Sequence, residues 1–327
     1  MRRLIVNDCL TCIPGTRTFW HDLVEWTGGE FVGGDYTTLA DTASDASDPD
    51  EYDGEMTSLI VRNATWFPPI RVSKHVPTIS LLQDIIPEGP MREMQEEVIK
   101  SSSAVVFNSA FTQSKYPTGM VKGVKTIDAP PDVRYRTIPL PVDFSLFQPG
   151  NPMGLQQALS LPDGCVLWVG ACQGAAGQVK GWDIFQRIVR TNPDISFVAV
   201  VKDAPPDVVP PNLRVYSRLP HAELVKVMQA CRVGLCTSRT ESQHLAGIEM
   251  GACGLPMVAP SVGIYWHGNI SGVEVLEPTV ENYTAAIRAM LTSRPYPQHA
   301  REFWQKQCDR PVIKAQWMAL IEEVEAK

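Results

Sequence analysis

The sequence lacks a hydrophobic run long enough to cross a membrane. Its 327 residues contain neither a stretch of 18 apolar residues nor a signal peptide, whereas a spanning helix needs about 20 apolar residues. We therefore expect the protein to be cytoplasmic, with a peripheral membrane contact still open.

An excess of basic residues is also absent. Lys and Arg number 29 against 36 Asp and Glu, which gives a net charge of −7. The segment 41–55 holds seven carboxylates and no Lys or Arg, and such a run predicts a solvated loop. This balance disfavours a general nucleic-acid-binding protein. Two local basic clusters, for which a solvated edge is favoured over strand binding, are Arg62, Arg71, Lys74 and His75, and Lys115, Lys122 and Lys125.

Several motifs that would indicate other chemistry are missing. The eight cysteines are scattered, and the C-x2-C pair Cys9 and Cys12 has no second pair at zinc-finger spacing. No G-x-G-x-x-G follows the first predicted strand, which disfavours a dinucleotide-dependent oxidoreductase. No D-x-D pair is placed for Mg²⁺, so we expect no metal and no cofactor.

Short apolar runs alternate with helical segments along the chain, and this rhythm predicts parallel α/β sheets. The length suits two domains of about 150 residues each. We predict an N-terminal Rossmann-like domain over 1–148, a second over 149–298 and a terminal helix over 299–327. Predicted strands include 4–7, 57–62, 77–82, 104–107, 165–169, 196–201, 213–216, 233–237, 256–259 and 273–276, with helices at 91–101, 181–191, 221–231, 245–253 and 281–292.

The most informative stretch is Thr240–Pro260, in which Glu241 and Glu249 stand eight positions apart. A strand precedes this pair and a small-residue helix follows, and a helix N-terminus attracts anions through its free N–H groups and dipole. Carboxylates would repel a phosphate but accept hydrogen bonds from sugar hydroxyls. Together these features predict a nucleotide-sugar site.

This stretch resembles the E-x7-E element of the retaining family 4 glycosyltransferases, which have the GT-B fold. Other matching segments are Pro139–Asp143 with Phe147 and Pro149, Val166–Gly170, Lys180–Gly181, Asn212–Pro220 and Val106–Ser109. The resemblance implies two Rossmann-like domains that face each other across a cleft. It also implies that the C-terminal helix crosses back to the first domain.

The resemblance further implies a set of donor-binding residues. Glu249 would bind the ribose hydroxyls and Glu241 the donor sugar, while Lys180 would neutralise the diphosphate. The diphosphate would face the backbone amides of three residues, His244, Leu245 and Ala246. The family's arginine after Gly170 is missing here, so Arg218, Arg239 or the amides of the glycine-rich loop would replace it.

On the acceptor side, Gln83 and Asp84 resemble the family's H-D-x-x-P step, with glutamine in place of histidine. The resemblance implies that they orient the sugar or acceptor, with Asp84 as a catalytic residue. Gly15 and Arg17 are predicted in a loop after the first strand, where Arg17 could hold a phosphate. His267 and Asn269 could line the acceptor entrance. For each of these residues an ordinary surface or capping role stays open.

We therefore expect a retaining, metal-independent hexosyltransferase that uses a UDP-sugar or GDP-sugar. Its acceptor would be a hydroxyl of a glycan, a lipid, a small molecule or a hydroxymethylated viral DNA base, and the oligomeric state is left open. Because the arginine and the histidine are missing, a nucleotide-sugar-binding module with weakened catalysis is the alternative.

Overall fold

The computed structural model describes residues 4–7, 14–32, 59–63, 76–116, 120–121, 124–125, 132–204, 208–266, 268, 270–293 and 297–326. The strands are β1 (Leu4–Asn7), β2 (Glu30–Val32), β3 (Leu59–Asn63), β4 (Thr78–Leu82), β5 (Ala104–Phe107), β6 (Met120–Val121), β7 (Val124–Lys125), β8 (Arg134–Thr137), β9 (Val166–Gly170), β10 (Phe197–Val201), β11 (Leu213–Ser217), β12 (Val233–Leu235), β13 (Met257–Pro260) and β14 (Val273–Leu276). The helices are α1 (Pro14–Thr27), α2 (Pro90–Lys100), α3 (Ala110–Gln113), α4 (Pro152–Leu159), α5 (Gly174–Val179), α6 (Trp182–Thr191), α7 (His221–Ala230), α8 (Leu245–Ala252), α9 (Val280–Ser293), α10 (Pro297–Cys308) and α11 (Arg310–Glu325), with a 3₁₀ turn at Gly263–Tyr265.

The chain divides into two compact units. Unit 1 comprises Met1–Pro141 and Pro311–Lys327, and unit 2 comprises Val142–Arg310. The first boundary lies at Pro141 instead of the predicted residue 148, because the segment after it is bonded within unit 2. The N–H of Val142 donates to the carbonyl of Cys308 at 2.9 Å, and the Arg301 guanidinium donates to the carbonyls of Phe144 and Phe147 at 2.8 and 2.7 Å.

Unit 1 is built on a six-stranded parallel sheet with the order β2-β1-β3-β4-β5-β8. Every residue of β4 and β5 is buried, as expected for strands covered on both faces. Helix α11 belongs to this unit: Trp317 packs against Phe19 with ring centroids 5.3 Å apart. Glu323 accepts from both Arg134 and Arg136 at 2.7 Å.

Unit 2 contains a second six-stranded parallel sheet, ordered β11-β10-β9-β12-β13-β14. Renumbered within the sheet, this is 3-2-1-4-5-6, the Rossmann order. Helix α6 buries Trp182, Phe185 and Ile188 on one face, and Phe185 stacks on Trp168 of β9 at 5.2 Å. Burying such a side chain stabilises the fold by about 1.5–3 kcal/mol. Two parallel α/β units are thus present, as the sequence predicted.

Two local predictions are wrong. The predicted loop around Gly15 and Arg17 is the first turn of α1, which begins at Pro14, because proline suits the first helical turn. The single terminal helix is two helices, α10 and α11, separated at Asp309. Pro311 lacks the N–H that would continue α10 but fits the first turn of α11.

The aromatic residues of α10 and α11 are packing residues. Trp304 and Trp317 are buried, and Phe303 packs against the core of unit 2. No helix among the described ranges is both long and apolar enough to span a bilayer.

Candidate functional site

The order of the unit 2 sheet reverses between β9 and β12. Chain connections from these neighbouring strands run in opposite directions, which opens a crevice at the carboxyl ends where α/β proteins bind ligands. Lys180 follows β9, and Glu241 follows β12. The fold therefore explains how two residues 61 positions apart in the sequence come together.

Lys180 and Glu241 form an ion pair at this point. Lys180 Nζ lies 2.6 Å from Glu241 Oε1, and the Ser238 hydroxyl donates to the same oxygen at 2.6 Å. The Glu241 side chain is 7% exposed and that of Lys180 is 32% exposed. Burial opposes ionisation of Glu241, but Lys180, His244 and Ser238 together hold the pKa of its carboxyl below the usual value. The site thus keeps a buried carboxylate ionised beside an accessible cation.

The backbone fixes the position of Lys180. Gly181 has a φ of +67°, and a Cβ at this residue would lie 2.0 Å from the carbonyl oxygen of Thr237. The Thr237 hydroxyl lies 3.0 Å from the carbonyls of both Lys180 and Gly181. The Trp168 indole N–H donates to the same hydroxyl at 2.9 Å. Only glycine allows this approach, and this is the physical reason for the K-G step in the sequence.

The N-terminus of α8 has the features of an anion site. The helix begins at Leu245, and no side chain in the described part of the chain caps its N-terminus. The first N–H groups of a helix have no intrahelical partner, so those of Leu245 and Ala246 are suited to a diphosphate. His244 occupies the N-cap with φ 75°. Burial lowers the pKa of its imidazole to about 4, so the ring is neutral.

Glu249 lies one turn further along α8. It is half-buried, and within the described ranges no Lys or Arg forms an ion pair with it. Burial raises the pKa of its carboxyl to about 7. Its expected role at the ribose remains a prediction, but its protonation near neutral pH was not visible in the sequence, because the spacing of two acids carries no information on their solvation.

In the glycine-rich loop after Gly170, backbone N–H groups donate hydrogen bonds to a side chain of the protein itself. The N–H groups of Cys172 and Gln173 donate to Asp203 Oδ2 at 2.8 and 3.0 Å. A carboxylate therefore stands where the loop was expected to present amides to phosphate. This partner was missed because Asp203 follows a different strand, β10.

The two arginines expected to replace the missing one differ in their contacts. Arg239 is exposed and holds Asp183 through two hydrogen bonds of 2.8 and 2.7 Å. Arg218 is exposed and adopts φ 52°, and its guanidinium donates to the Lys202 carbonyl at 3.4 Å. Of the two guanidinium groups, that of Arg218 thus makes fewer hydrogen bonds to described residues.

Cys236, Glu241 and His244 place one sulfur, one oxygen and one nitrogen atom within 4.8 Å of one another. Such a set has the chemistry of a metal site. Glu241 is already bonded to Lys180, and burial raises the pKa of the Cys236 thiol to about 12. A metal would have to displace the lysine and a strongly held thiol proton.

In unit 1, the carboxyl end of the sheet buries neutral polar groups beside the half-buried Asp84. Gln83 is buried, and its Oε1 has no partner among the described residues. Asn108 Nδ2 donates to the Gln83 carbonyl at 3.1 Å. The Tyr116 hydroxyl donates within the same region, 3.0 Å from the Asp84 carbonyl and 2.6 Å from Gln95 Oε1. The structure thus brings the backbone carbonyls of Gln83 and Asp84 into one polar cluster with the side chains of Asn108 and Tyr116.

The structure describes only some residues of the two predicted basic clusters, and these differ in burial. Arg62 is buried, not part of a solvated edge as predicted, and its Nε donates to the Ser80 hydroxyl at 2.9 Å. Burial lowers the pKa of its guanidinium to about 10. Lys115 is exposed. The side chain of Arg17 and further predicted features lie outside the described residues: Cys9, Cys12, the segment 41–55, Arg71, Lys74, His75, Lys122, His267 and Asn269.

No family model matches the chain, but curated proteins do. A D-inositol 3-phosphate glycosyltransferase of Acidothermus cellulolyticus is 28% identical over 231 residues, which are 62% of this chain and 49% of the relative. A protein of the same description from Segniliparus rotundus is 25% identical over 67% of this chain and 51% of the relative. The chain thus spans about half the length of these relatives.

Solved structures with a similar fold cover the whole chain. The sucrose-phosphate synthase of Thermosynechococcus elongatus matches with a TM-score of 0.77 at 14% identity, over 100% of both chains. Anabaena HepE, solved in complex with UDP and glucose, matches with a TM-score of 0.69 at 14% identity, over 98% of this chain and 99% of that one. At these identities the likeness identifies the fold.

Proposed function

The chain has the GT-B fold and resembles the family 4 glycosyltransferases, and from this premise we propose that it transfers a hexose from a nucleotide-diphosphate sugar to a hydroxyl acceptor. One observation carries the proposal. At the switch point of unit 2, the Lys180–Glu241 pair stands beside the uncapped N-terminus of α8. Cation, free amides and carboxylate suit the diphosphate and the sugar hydroxyls of such a donor.

The resemblance to retaining glycosyltransferases implies the course of the reaction that we propose. The bond between the anomeric carbon and the diphosphate oxygen breaks, and the acceptor oxygen bonds to the same face of that carbon. The acceptor proton passes to the departing diphosphate, so the sugar keeps its anomeric configuration. Lys180 and the amides of α8 stabilise the negative charge that grows on the leaving group. Glu241 holds the sugar through its hydroxyls and contributes orientation.

We assign acceptor recognition to the neutral edge of unit 1, where Gln83 presents a buried oxygen with no described partner. Glutamine can orient a hydroxyl but cannot exchange a proton near neutral pH. This suits a reaction whose proton leaves with the diphosphate. With Lys180 supplying the positive charge, we propose that the transfer needs no metal.

Two measurements test the proposal. A thermal-shift panel of UDP- and GDP-sugars should reveal one donor that raises the Tm, since ligands of the native state stabilise it. That donor is then incubated with inositol phosphates, glycans, lipids and hydroxymethylated DNA, with and without a chelator. We expect transfer that survives the chelator and keeps the anomeric configuration in the product's NMR spectrum. If no sugar nucleotide raises the Tm, the assignment is wrong.

A nucleotide-sugar-binding module is the second candidate, favoured by Asp203. Its carboxylate holds the loop amides of Cys172 and Gln173 that were expected to replace the missing arginine. Such a module raises its Tm with a sugar nucleotide but neither transfers nor hydrolyses the sugar at high protein concentration.

A further inference from the structure

His244 has a strained backbone and a specific side-chain partner. Its φ of 75° is in the left-handed region, shared among the described non-glycine residues only by Ser160 and Arg218. Such a conformation costs about 1–3 kcal/mol and persists where the surroundings hold it. His244 Nδ1 lies 2.8 Å from the Tyr265 hydroxyl, and the two rings meet edge to face at 5.6 Å.

Tyr265 is built into the core of the site. It is fully buried at the end of the 3₁₀ turn, and its ring packs on Trp304 at 6.2 Å. A Cβ on Gly247 would lie 1.8 Å from the Tyr265 hydroxyl and 2.5 Å from His244 Nδ1. The first turn of α8 thus has a notch at Gly247 that admits the hydroxyl to the imidazole.

The direction of this hydrogen bond follows from burial. Among the described residues, the Tyr265 hydroxyl has no acceptor other than His244 Nδ1. A buried hydroxyl proton without an acceptor would cost about 1–3 kcal/mol, so the tyrosine donates and Nδ1 accepts. In a neutral imidazole the proton is then on Nε2.

We infer that Tyr265 is a positioning residue, which holds His244 as the Nε2–H tautomer so that this N–H donates to the diphosphate of the donor at the N-terminus of α8. The inference rests on the proposed function. It gives the site a neutral hydrogen-bond donor from another position in place of the arginine that is missing after Gly170. A neutral ring also leaves Glu241 paired with Lys180 instead of competing for that carboxylate.

NMR of the ring nitrogens tests the tautomer without any ligand. The His244 signals are assigned by comparison with His244→Gln. In the wild type we expect a protonated Nε2 and an unprotonated Nδ1, and in Tyr265→Phe a mixture of both tautomers. A wild-type ring protonated on Nδ1, or a spectrum that Tyr265→Phe leaves unchanged, overturns the inference.

Binding measurements test the role of the N–H. His244→Gly suits the observed φ and removes only the side chain, so it keeps the backbone of the N-cap. The probes are UDP with uridine and GDP with guanosine. In His244→Gly we expect the diphosphate to bind about 10-fold more weakly relative to its nucleoside, because a hydrogen bond to a charged group is lost. In Tyr265→Phe, where a fraction of the rings keeps the Nε2–H, we expect a smaller loss of about twofold.

An unchanged ratio of diphosphate to nucleoside affinity in His244→Gly overturns the inference. If the wild type binds none of the four probes, the proposed function fails together with the anion-binding role of His244. The ring-nitrogen spectra then still decide whether Tyr265 fixes the tautomer.

Discussion

At the carboxyl end of its sheet, unit 2 buries ionisable groups, whereas the same end of the sheet in unit 1 buries amides and hydroxyls and keeps its carboxylate, Asp84, half-buried. Lys180, Glu241 and Glu249 surround the switch point of unit 2, and the pKa of each carboxyl is shifted. In unit 1, Gln83, Asn108 and Ser109 are among the buried polar residues at that end.

The difference indicates which part of the proposed reaction each unit serves. Charges are costly to bury and are kept where charge develops during a reaction. Neutral donors and acceptors recognise hydroxyls at lower cost and change little with pH. Unit 2 is therefore equipped for the leaving group, and unit 1 for a neutral hydroxyl.

The largest test of this contrast is Glu241→Ala. Because Glu241 is one of the charged groups at the proposed reacting centre, we expect turnover to fall at least about 100-fold, as for other preorganised polar groups at such a centre. The fold should persist, because Lys180 is partly exposed and can hydrate. Steady-state kinetics and the Tm check this, with the exposed Glu281→Ala as the control. Equal turnover in both variants would remove Glu241 from the site.

The second test uses the pH dependence of stability. The pKa of Glu249 is about 7 in the native state and about 4.3 in an unfolded chain. Its protonated form therefore stabilises the native state fully below about pH 4, and that contribution is lost as the pH rises through 7. A difference of one in pKa corresponds to about 1.4 kcal/mol, and partial exposure of Glu249 reduces the sum to about 1–3 kcal/mol.

Urea unfolding at pH 5, 6, 7 and 8 measures this loss. Between pH 5 and 8 the wild type should lose more stability than Glu249→Gln, whose amide mimics the neutral carboxyl. Gln83→Leu, the matched change in unit 1, should follow the wild-type profile. Parallel profiles for wild type and Glu249→Gln would mean that Glu249 is ionised throughout.

The third test is Asn108→Ala in unit 1. Asn108 is buried, donates to the Gln83 carbonyl at 3.1 Å and accepts from the Thr112 hydroxyl at 3.0 Å. Losing these two buried hydrogen bonds should cost about 1–3 kcal/mol, equally at pH 5 and pH 8. Asn151→Ala, at an exposed N-cap without a side-chain hydrogen bond, is the control. A cost that varied with pH would contradict the neutral character of this edge.

The smallest expected effect is that of Arg239→Ala. Its exposed pair with Asp183 should contribute about 0.5 kcal/mol or less. Donor affinity, measured by calorimetry, should change less than about twofold on the same grounds. A 10-fold loss would show instead that Arg239 leaves Asp183 and replaces the missing arginine.

The sequence predicted the features that depend on local order. Alternating apolar runs and helices yielded both parallel sheets, and the K-G step and the E-x7-E spacing directed attention to Lys180 and Glu241, which the fold brings to 2.6 Å. These features were predictable because each strand, turn and helix is specified by its own residues.

Features that depend on distant partners were not predictable. Asp203 receives the loop amides from another strand, and Arg62 is buried against Ser80. Tyr265 reaches His244 only through the notch at Gly247. Nothing in the local pattern of either segment indicates such meetings, because they are set by the packing of the whole unit.

The contact between Gly181 and Thr237 has a consequence for how this protein can diverge. Because the close approach of Gly181 to Thr237 anchors Lys180, residues inserted before α5 would disturb the bonds of Cys172 and Gln173 to Asp203 but leave the lysine in place. In lineages related to this chain, insertions should therefore accumulate before the lysine, whereas the glycine after it should resist replacement. The contact between Gly181 and Thr237 thus fixes where the loop ends relative to the sheet.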